Sequence, residues 1–329
     1  MPDAVVDWKQ LHGNAFRGRR CLVTGGNGFI GGHLTEALAA LEADIVILDN
    51  GVGGNAEPYV DAELHDGDVR HLDACLAAAE GCDVAFHLAA KVSVPASVED
   101  PVSYHATDAT GTVNLLEASR QAGVRRMVYS ASSSAYGDQP TLPKVESMAE
   151  LPMSPYAAAK LAGEGYCRAY ASCYDLDAVS LRYFNIFGPR QNANSAYAGV
   201  IAAFARDLLN GERPTIFGDG SASRDFTHVY NAVHANLLAA RHDQRLGGEV
   251  FNVGVGLRET VADLARHMAE AVGRADLTPV LKPPRPGDVP HSLASLEKST
   301  RVLGYRPIMP FSDGIAATVE WYAAERQPA

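Results

Sequence analysis

The chain has no C-x-x-C pair, no internal repeat, no run of about eighteen uncharged apolar residues and no surplus of positive charge. Each absence narrows the field. Five scattered cysteines (Cys21, Cys75, Cys82, Cys167 and Cys173) are an odd set that suits neither a disulfide framework nor a metal cluster, so a reduced, cytoplasmic compartment and no bound metal are expected. Without a long apolar run there is no membrane-spanning helix to expect, and the opening MPDAVVDWKQLHGNAFRGRR lacks the apolar stretch of an export signal. With 28 Lys and Arg against 39 Asp and Glu, the net charge of −11 repels nucleic acid and anionic lipid at long range. An anionic substrate must then be held by a few local Arg or Lys side chains. Gly (30) and Pro (18) are too few among 329 residues for a low-complexity chain, and an apolar share of 47% suits a folded globular protein with a full core.

What is present is a regular alternation. Residues 20–24 (RCLVT), 44–48 (DIVIL), 83–87 (DVAFH), 126–130 (RMVYS) and 177–183 (DAVSLRY) are short, largely apolar runs that read as strands. Helical stretches at 30–41, 71–80, 108–121 and 155–173 lie between them. Continuously apolar strands joined by helical crossovers predict an α/β fold, a doubly wound parallel sheet covered on both faces. After about residue 185 the alternation loosens. Residues 186–329 read as a smaller substrate-binding lobe beside a dinucleotide-binding domain at 1–185, with 228–254 returning to the first domain as a helix and a strand.

The first strand runs into Gly25-Gly26-Asn27-Gly28-Phe29-Ile30-Gly31 and then a helix, satisfying G-x-G-x-x-G; glycines there let backbone N–H groups approach a pyrophosphate at the positive end of a helix. Asp49, closing the next strand, supplies the carboxylate that accepts from two ribose hydroxyls and repels a 2′-phosphate. NAD is therefore expected rather than NADP. Asp68, in DGDVR, fits either the adenine edge or the N-cap of the following helix. Farther along, Tyr156 and Lys160 stand at i and i+4 of a predicted helix. A cation beside a phenol lowers its pKa toward working pH and makes it a usable acid and base. The serine-rich stretch Ser130–Gly137 follows a strand, and strand carboxyl ends form the ligand crevice of such folds.

Together, TGGNGFIG (24–31), HLAAK (87–91), SASSSAYGD (130–138), SPYAAAK (154–160), LRYFNIFGP (181–189), GDGSASRDFTHV (218–229) and RPGDVPHS (285–292) resemble, in order, the extended short-chain dehydrogenase/reductase family. Within it the chain is most similar to UDP-hexose 4-epimerases, and among those to the UDP-N-acetylglucosamine 4-epimerase group. The resemblance implies that Tyr156 is the acid/base, that Lys160 holds the nicotinamide ribose and tunes Tyr156, and that Ser132 bonds the reacting 4-oxygen, with Ser133 and Ser134 beside it. It implies cofactor contacts from Gly25, Gly28, Phe29, Ile30, Gly31, Asp49, Asn50, Asp68, Val69, Leu88, Ala89, Ala90, Lys91 and Tyr183, in addition to Tyr156 and Lys160. For the substrate it implies Asn185, Lys91, Arg224, Arg285 and Asp288, a nucleotide loop through Ala196 and Tyr197, and Ser292 bordering the C2 substituent of the sugar.

Relatives that dehydrate nucleotide sugars carry Thr-Asp-Glu where this chain has Ser132-Ser133-Ser134, so the carboxylates needed to abstract the C5 proton are missing. The implied activity is C4 inversion of UDP-GlcNAc/UDP-GalNAc, and of UDP-Glc/UDP-Gal less well or comparably, by transient oxidation at C4 and hydride return to the opposite face. A UDP-glucuronate 4-epimerase, a 4,6-dehydratase and an NAD-binding scaffold without chemistry are the alternatives. The resemblance also suggests a homodimer through helices 108–121 and 155–173. In one place the chain departs from its relatives: Asn-x-x-Gly-Thr is replaced by Asp108-Ala-Thr-Gly111-Thr112, putting a carboxyl group near the nicotinamide or pointing it elsewhere.

Overall fold

The computed structural model describes residues 6–55, 57–193, 199–283 and 289–325. A short helix α1 (Trp8–His12), capped by the Asp7 side chain, precedes the sheet. The sheet takes β1 (Arg20–Thr24), β2 (Asp44–Asp49), β3 (Glu63–Asp66), β4 (Val84–His87), β5 (Arg126–Ser132), β6 (Asp177–Tyr183) and a seventh strand at Val250–Val253. All pairings are parallel, and the spatial order is Val250–Val253, β6, β5, β4, β1, β2, β3. The sheet edge at β3, ELHD, is largely exposed and has no apolar run.

Strand side chains alternate between faces, and here both faces are buried. Val23, Ile47 and Phe86 join one apolar cluster, while their neighbours Leu22, Val46 and Ala85 join the other. The first face is covered by α2 (Phe29–Ala40) and by helix Val229–Arg241. On the second lie α3 (Leu72–Ala79), α6 (Gly111–Ala122) and α7 (Pro155–Cys173). Between β4 and α6 the chain passes through α4 (Val94–Glu99), α5 (Pro101–Tyr104) and one π-helical turn, His105–Thr110.

A second core, built from Phe204, Leu208, Phe226, Leu264, Met268, Ile315 and Val319, holds helices Val200–Leu209, Val261–Ala271 and Phe311–Ala324 together beside the sheet. Between the lobes Asp225, fully buried, accepts the backbone N–H groups of Val255, Gly256 and Ala294. Four of the cysteines are buried and Cys173 is exposed; all are free. Among the described residues no helix is long and apolar enough to cross a membrane, and no group of three or more His, Cys, Asp or Glu could hold a metal ion.

In the sheet, the connections run one way from β1 through β2 to β3 and the other way from β4 onward, so chain direction reverses between β1 and β4. The crevice at the carboxyl ends of those two strands is where an open parallel sheet takes its ligand.

Candidate active site

Beyond β1 the glycine loop closes on itself. A Cβ on Gly31 would lie 2.0 Å from the Gly25 carbonyl oxygen, and one on Gly25, whose φ is +70°, would meet Ala89 N at 2.8 Å. Only glycine fits either position. Asp49, at the tip of β2, accepts the Asn27 N–H at 3.0 Å and the Gly51 N–H at 2.9 Å, tying the loop to the neighbouring strand. The loop thus places a helix start and its free N–H groups beside a carboxylate, an arrangement that fits a dinucleotide pyrophosphate and ribose. Phe29 and Ile30 open α2 directly behind the loop.

Asp68 does not cap α3: the N-cap position is His71, with no side-chain bond. Its carboxylate instead accepts from Asn50 Nδ2 at 2.8 Å and from the Arg70 guanidinium at 2.9 Å. Burial opposes its ionisation, but these donors prevail and hold Asp68 at about 2. Asn50 and Asp68 therefore stand together at the carboxyl ends of β2 and β3, and Val69 packs beneath them against Gly111.

After β4 the Leu88 and Ala89 N–H groups bond to the Thr24 carbonyl and hydroxyl, holding the segment Leu88-Ala89-Ala90 against the glycine loop. His87 bridges the hydroxyls of Thr24 and Thr112 and is buried. Lys91 turns away toward α5, with Nζ 2.6 Å from Ser103 Oγ and 5.1 Å from the Tyr104 ring centre.

Tyr156 stands in the first turn of α7, where Ser154 caps the helix at Ala157 N–H and Pro155 occupies the first position. The positive end of a helix favours an anion there. Across from it, at the end of β5, Ser132 is close enough to draw the phenol's pKa down, and its Oγ accepts from Ser134 Oγ at 2.8 Å; Ser133 and Ser134 continue into a single 3-10 turn. The edge of the Tyr104 ring meets Tyr156 at 6.4 Å between centres.

Lys160, one helical turn on, is 3% exposed and donates to the Ser130 carbonyl at 3.1 Å rather than to the phenol. The i,i+4 spacing alone leads one to expect a lowered tyrosine pKa. The protein by itself does the reverse: burial pushes Tyr156 up to about 12, with the Ser132 contact pulling only weakly against it. Burial likewise lowers Lys160, and the negative charges of Asp108 and Glu164 oppose that.

Farther out, Asn185 Nδ2 donates to the Asp225 carbonyl at 3.2 Å and to Ser292 Oγ at 3.1 Å, from a backbone at φ +38°; Ser292 N–H is held by the Ser223 carbonyl at 3.0 Å. Arg224 donates to the Ser223 and Pro290 carbonyls, beside the same segment. Tyr183 lies at the end of β6 with its hydroxyl bound to Ser130 Oγ and Asn236 Nδ2. Ala196, Tyr197, Arg285 and Asp288 fall outside the described residues. Thr24, Asn27 and His87 lie inside the quoted motifs, but their parts in building the site, and that of Tyr104, which lies in none, carry no sequence signal, since each acts through a partner far along the chain or through its backbone.

The sequence model of the NAD dependent epimerase/dehydratase family matches residues 21–254. A UDP-glucose 4-epimerase of Mycolicibacterium smegmatis is 41% identical over 320 residues, covering 94% of this chain and all of that protein. Among solved structures, a UDP-N-acetylglucosamine 4-epimerase from Methanobrevibacter ruminantium, in complex with UDP-N-acetylmuramic acid, superposes with a TM-score of 0.89 at 35% identity, covering 94% of this chain and 100% of its own. The Thermus thermophilus UDP-glucose 4-epimerase complex with NAD gives a TM-score of 0.83 at 36% identity, covering 92% and 98%.

Proposed function

The chain belongs to the NAD-dependent epimerase/dehydratase family, and from that premise we propose that it is a UDP-sugar 4-epimerase whose preferred pair is UDP-GlcNAc and UDP-GalNAc. The observation that carries the reaction class is Tyr156 at the start of α7 beside Ser132 at the carboxyl end of β5, next to a turn made of serines rather than carboxylates.

Gly25, Gly28, Gly31 and Asp49 would hold NAD, with Asn50 and Asp68 at the adenosine end and Lys160 at the nicotinamide end. When bound, NAD supplies a hydride acceptor and donor for C4, and its positive ring lowers the Tyr156 pKa. Tyr156 then takes the proton from the 4-hydroxyl while Ser132, bonded to that oxygen, keeps it within reach. The same phenol returns the proton once C4 has been reduced from its other face. Tyr156 in the first turn of α7 and Lys160 behind it provide the electrostatic setting for both steps. Net redox is zero, and added NAD is not consumed.

The sugar preference rests on Ser292. Asn185, assigned to the substrate, donates to this small side chain, and a serine at the C2 position would leave room for an N-acetyl group that a tyrosine would fill. Arg224, together with Arg285, is assigned to the diphosphate, a role suited to guanidinium. We also assign a homodimer through α6 and α7, on which Tyr166 is exposed. The deciding experiment incubates the protein with a panel of UDP-sugars and follows C4 inversion by NMR. Inversion of the acetylated pair at least as fast as the plain pair is expected. Inversion of plain sugars alone would remove the sugar assignment, and binding of NAD with no inversion of any sugar would remove the enzyme.

A further inference from the structure

Asp108 is the one acidic side chain of the π-helical turn between α5 and α6, and it is completely buried. A π turn offsets the residues after it and recurs at functional sites. Here the turn packs on α7, beside the helix face that carries Tyr156 and Lys160. Asp108 Oδ1 accepts the Lys91 N–H at 2.8 Å, while Oδ2 is buried with no hydrogen-bond partner. A half-satisfied buried carboxyl group is costly unless a charge compensates it. Lys160, itself buried, supplies positive charge within electrostatic range of Asp108, with Lys91 adding to it; the Lys160 ammonium donates to the Ser130 carbonyl and lies 5.1 Å from the centre of the Tyr129 ring. The titratable groups within electrostatic range of Asp108 are Lys91 from the loop after β4, Tyr104 from α5, Tyr129 from β5, and Tyr156 and Lys160 from α7.

The geometry points to Asp108 as a positioning residue of the Tyr156–Lys160 pair, a fixed negative charge that balances the Lys160 ammonium and opposes formation of the Tyr156 phenolate. Burial pushes the Asp108 carboxyl up and Lys160 opposes that, while the carboxylate in turn raises both Lys160 and Tyr156. An amide in its place keeps the shape and removes the charge. This inference rests on Tyr156 as the acid/base. The acidic limb of the pH profile then reports Tyr156 and the alkaline limb reports Lys160, and the two limbs carry a distinctive signature. Loss of one negative charge lowers both pKa values together, so the whole bell moves toward acid.

The test compares kcat against pH for the parent holoenzyme and Asp108→Asn with a UDP-sugar substrate. In parallel, phenolate formation is followed in the near ultraviolet as the difference between each protein and its Tyr156→Phe counterpart. Both limbs should move acidward by about one pH unit, with the phenolate transition moving in the same direction. Asp108→Glu, which keeps the charge, should return the limbs to their parent positions. If Asp108→Asn is not recovered folded, Asp108→Ser, smaller and equally neutral, carries the same expectation. A uniform loss of rate with unmoved limbs, an alkaline shift or a profile identical to the parent would overturn the proposal. Retention of turnover in Tyr156→Phe would instead overturn the functional reading beneath it, so the two failures are distinguishable.

Discussion

Replacing Ser292 with tyrosine tests two effects at one position, a lost hydrogen bond and an added volume. Ser292 Oγ accepts the Asn185 amide at 3.1 Å, and a tyrosine, whose hydroxyl lies at the far end of the ring, cannot keep that bond. Asn185 would retain only the Asp225 carbonyl. Losing the bond costs about 0.5–1.5 kcal/mol and falls on every sugar alike, up to about a tenfold drop in kcat/KM. The ring adds a steric term that falls only on substrates with a bulky C2 substituent. At roughly 1–3 kcal/mol for overpacking, that is a further 5- to 150-fold against UDP-GlcNAc and UDP-GalNAc. Ser292→Ala isolates the first term, because it removes the hydroxyl without adding volume. The assay is kcat/KM for the acetylated and plain pairs with parent, Ser292→Ala and Ser292→Tyr proteins. Parallel losses on both pairs in the tyrosine variant, or none on either, would refute the placement of Ser292 at the C2 position.

Tyr156→Phe should lower turnover by about 10²–10⁴-fold while the protein still retains NAD through purification, measured by the absorbance of the released cofactor. Lys160→Ala should slow turnover and move the acidic limb of the rate profile to higher pH, because the phenolate loses its neighbouring cation. Gly31→Ala, whose new Cβ would meet the Gly25 carbonyl at 2.0 Å, should abolish NAD retention, whereas Gly28→Ala, with its closest contact at 3.2 Å, should weaken it less; equal effects would count against the loop geometry. Burial depresses His12, His87 and His228 to about 3 and His33 and His234 to about 4. The unfolded chain therefore binds protons that the folded chain refuses. Stability is full above about pH 6.5 and falls as pH drops toward 4, with Asp225, raised to about 6 by burial, and Asp108 and Glu164, also raised by burial, opposing the trend. Urea midpoints at pH 7 and pH 5 should show the loss, and a midpoint that rises on acidification would contradict it.

The doubly wound sheet is legible in the sequence because its central strands are buried on both faces and so read as unbroken apolar runs, as in CLV, IVIL and VAF. The glycine loop and the capped start of α7 are equally local, each written within a few consecutive residues. The edge strand β3 carries no such run, since only its backbone pairs with β2. Other features depend on distance along the chain. Asn185 and Ser292 meet across a separation of 107 residues, and no local pattern announces that bond. Asp68 could have been a helix cap until the fold set Asn50 beside it.

The acidity of Tyr156 draws the division most clearly. Spacing places a lysine one turn away and so predicts a lowered pKa, but spacing says nothing of desolvation, which raises the phenol here, nor of where the ammonium turns, which is to the Ser130 carbonyl. Strand ends, helix starts and the glycine loop could be read from residues alone, because they follow from short-range pattern. Which way burial shifts the acidity of those residues, and which distant partners they meet, came from the folded chain, because desolvation and long-range contact exist only once the chain has closed on itself.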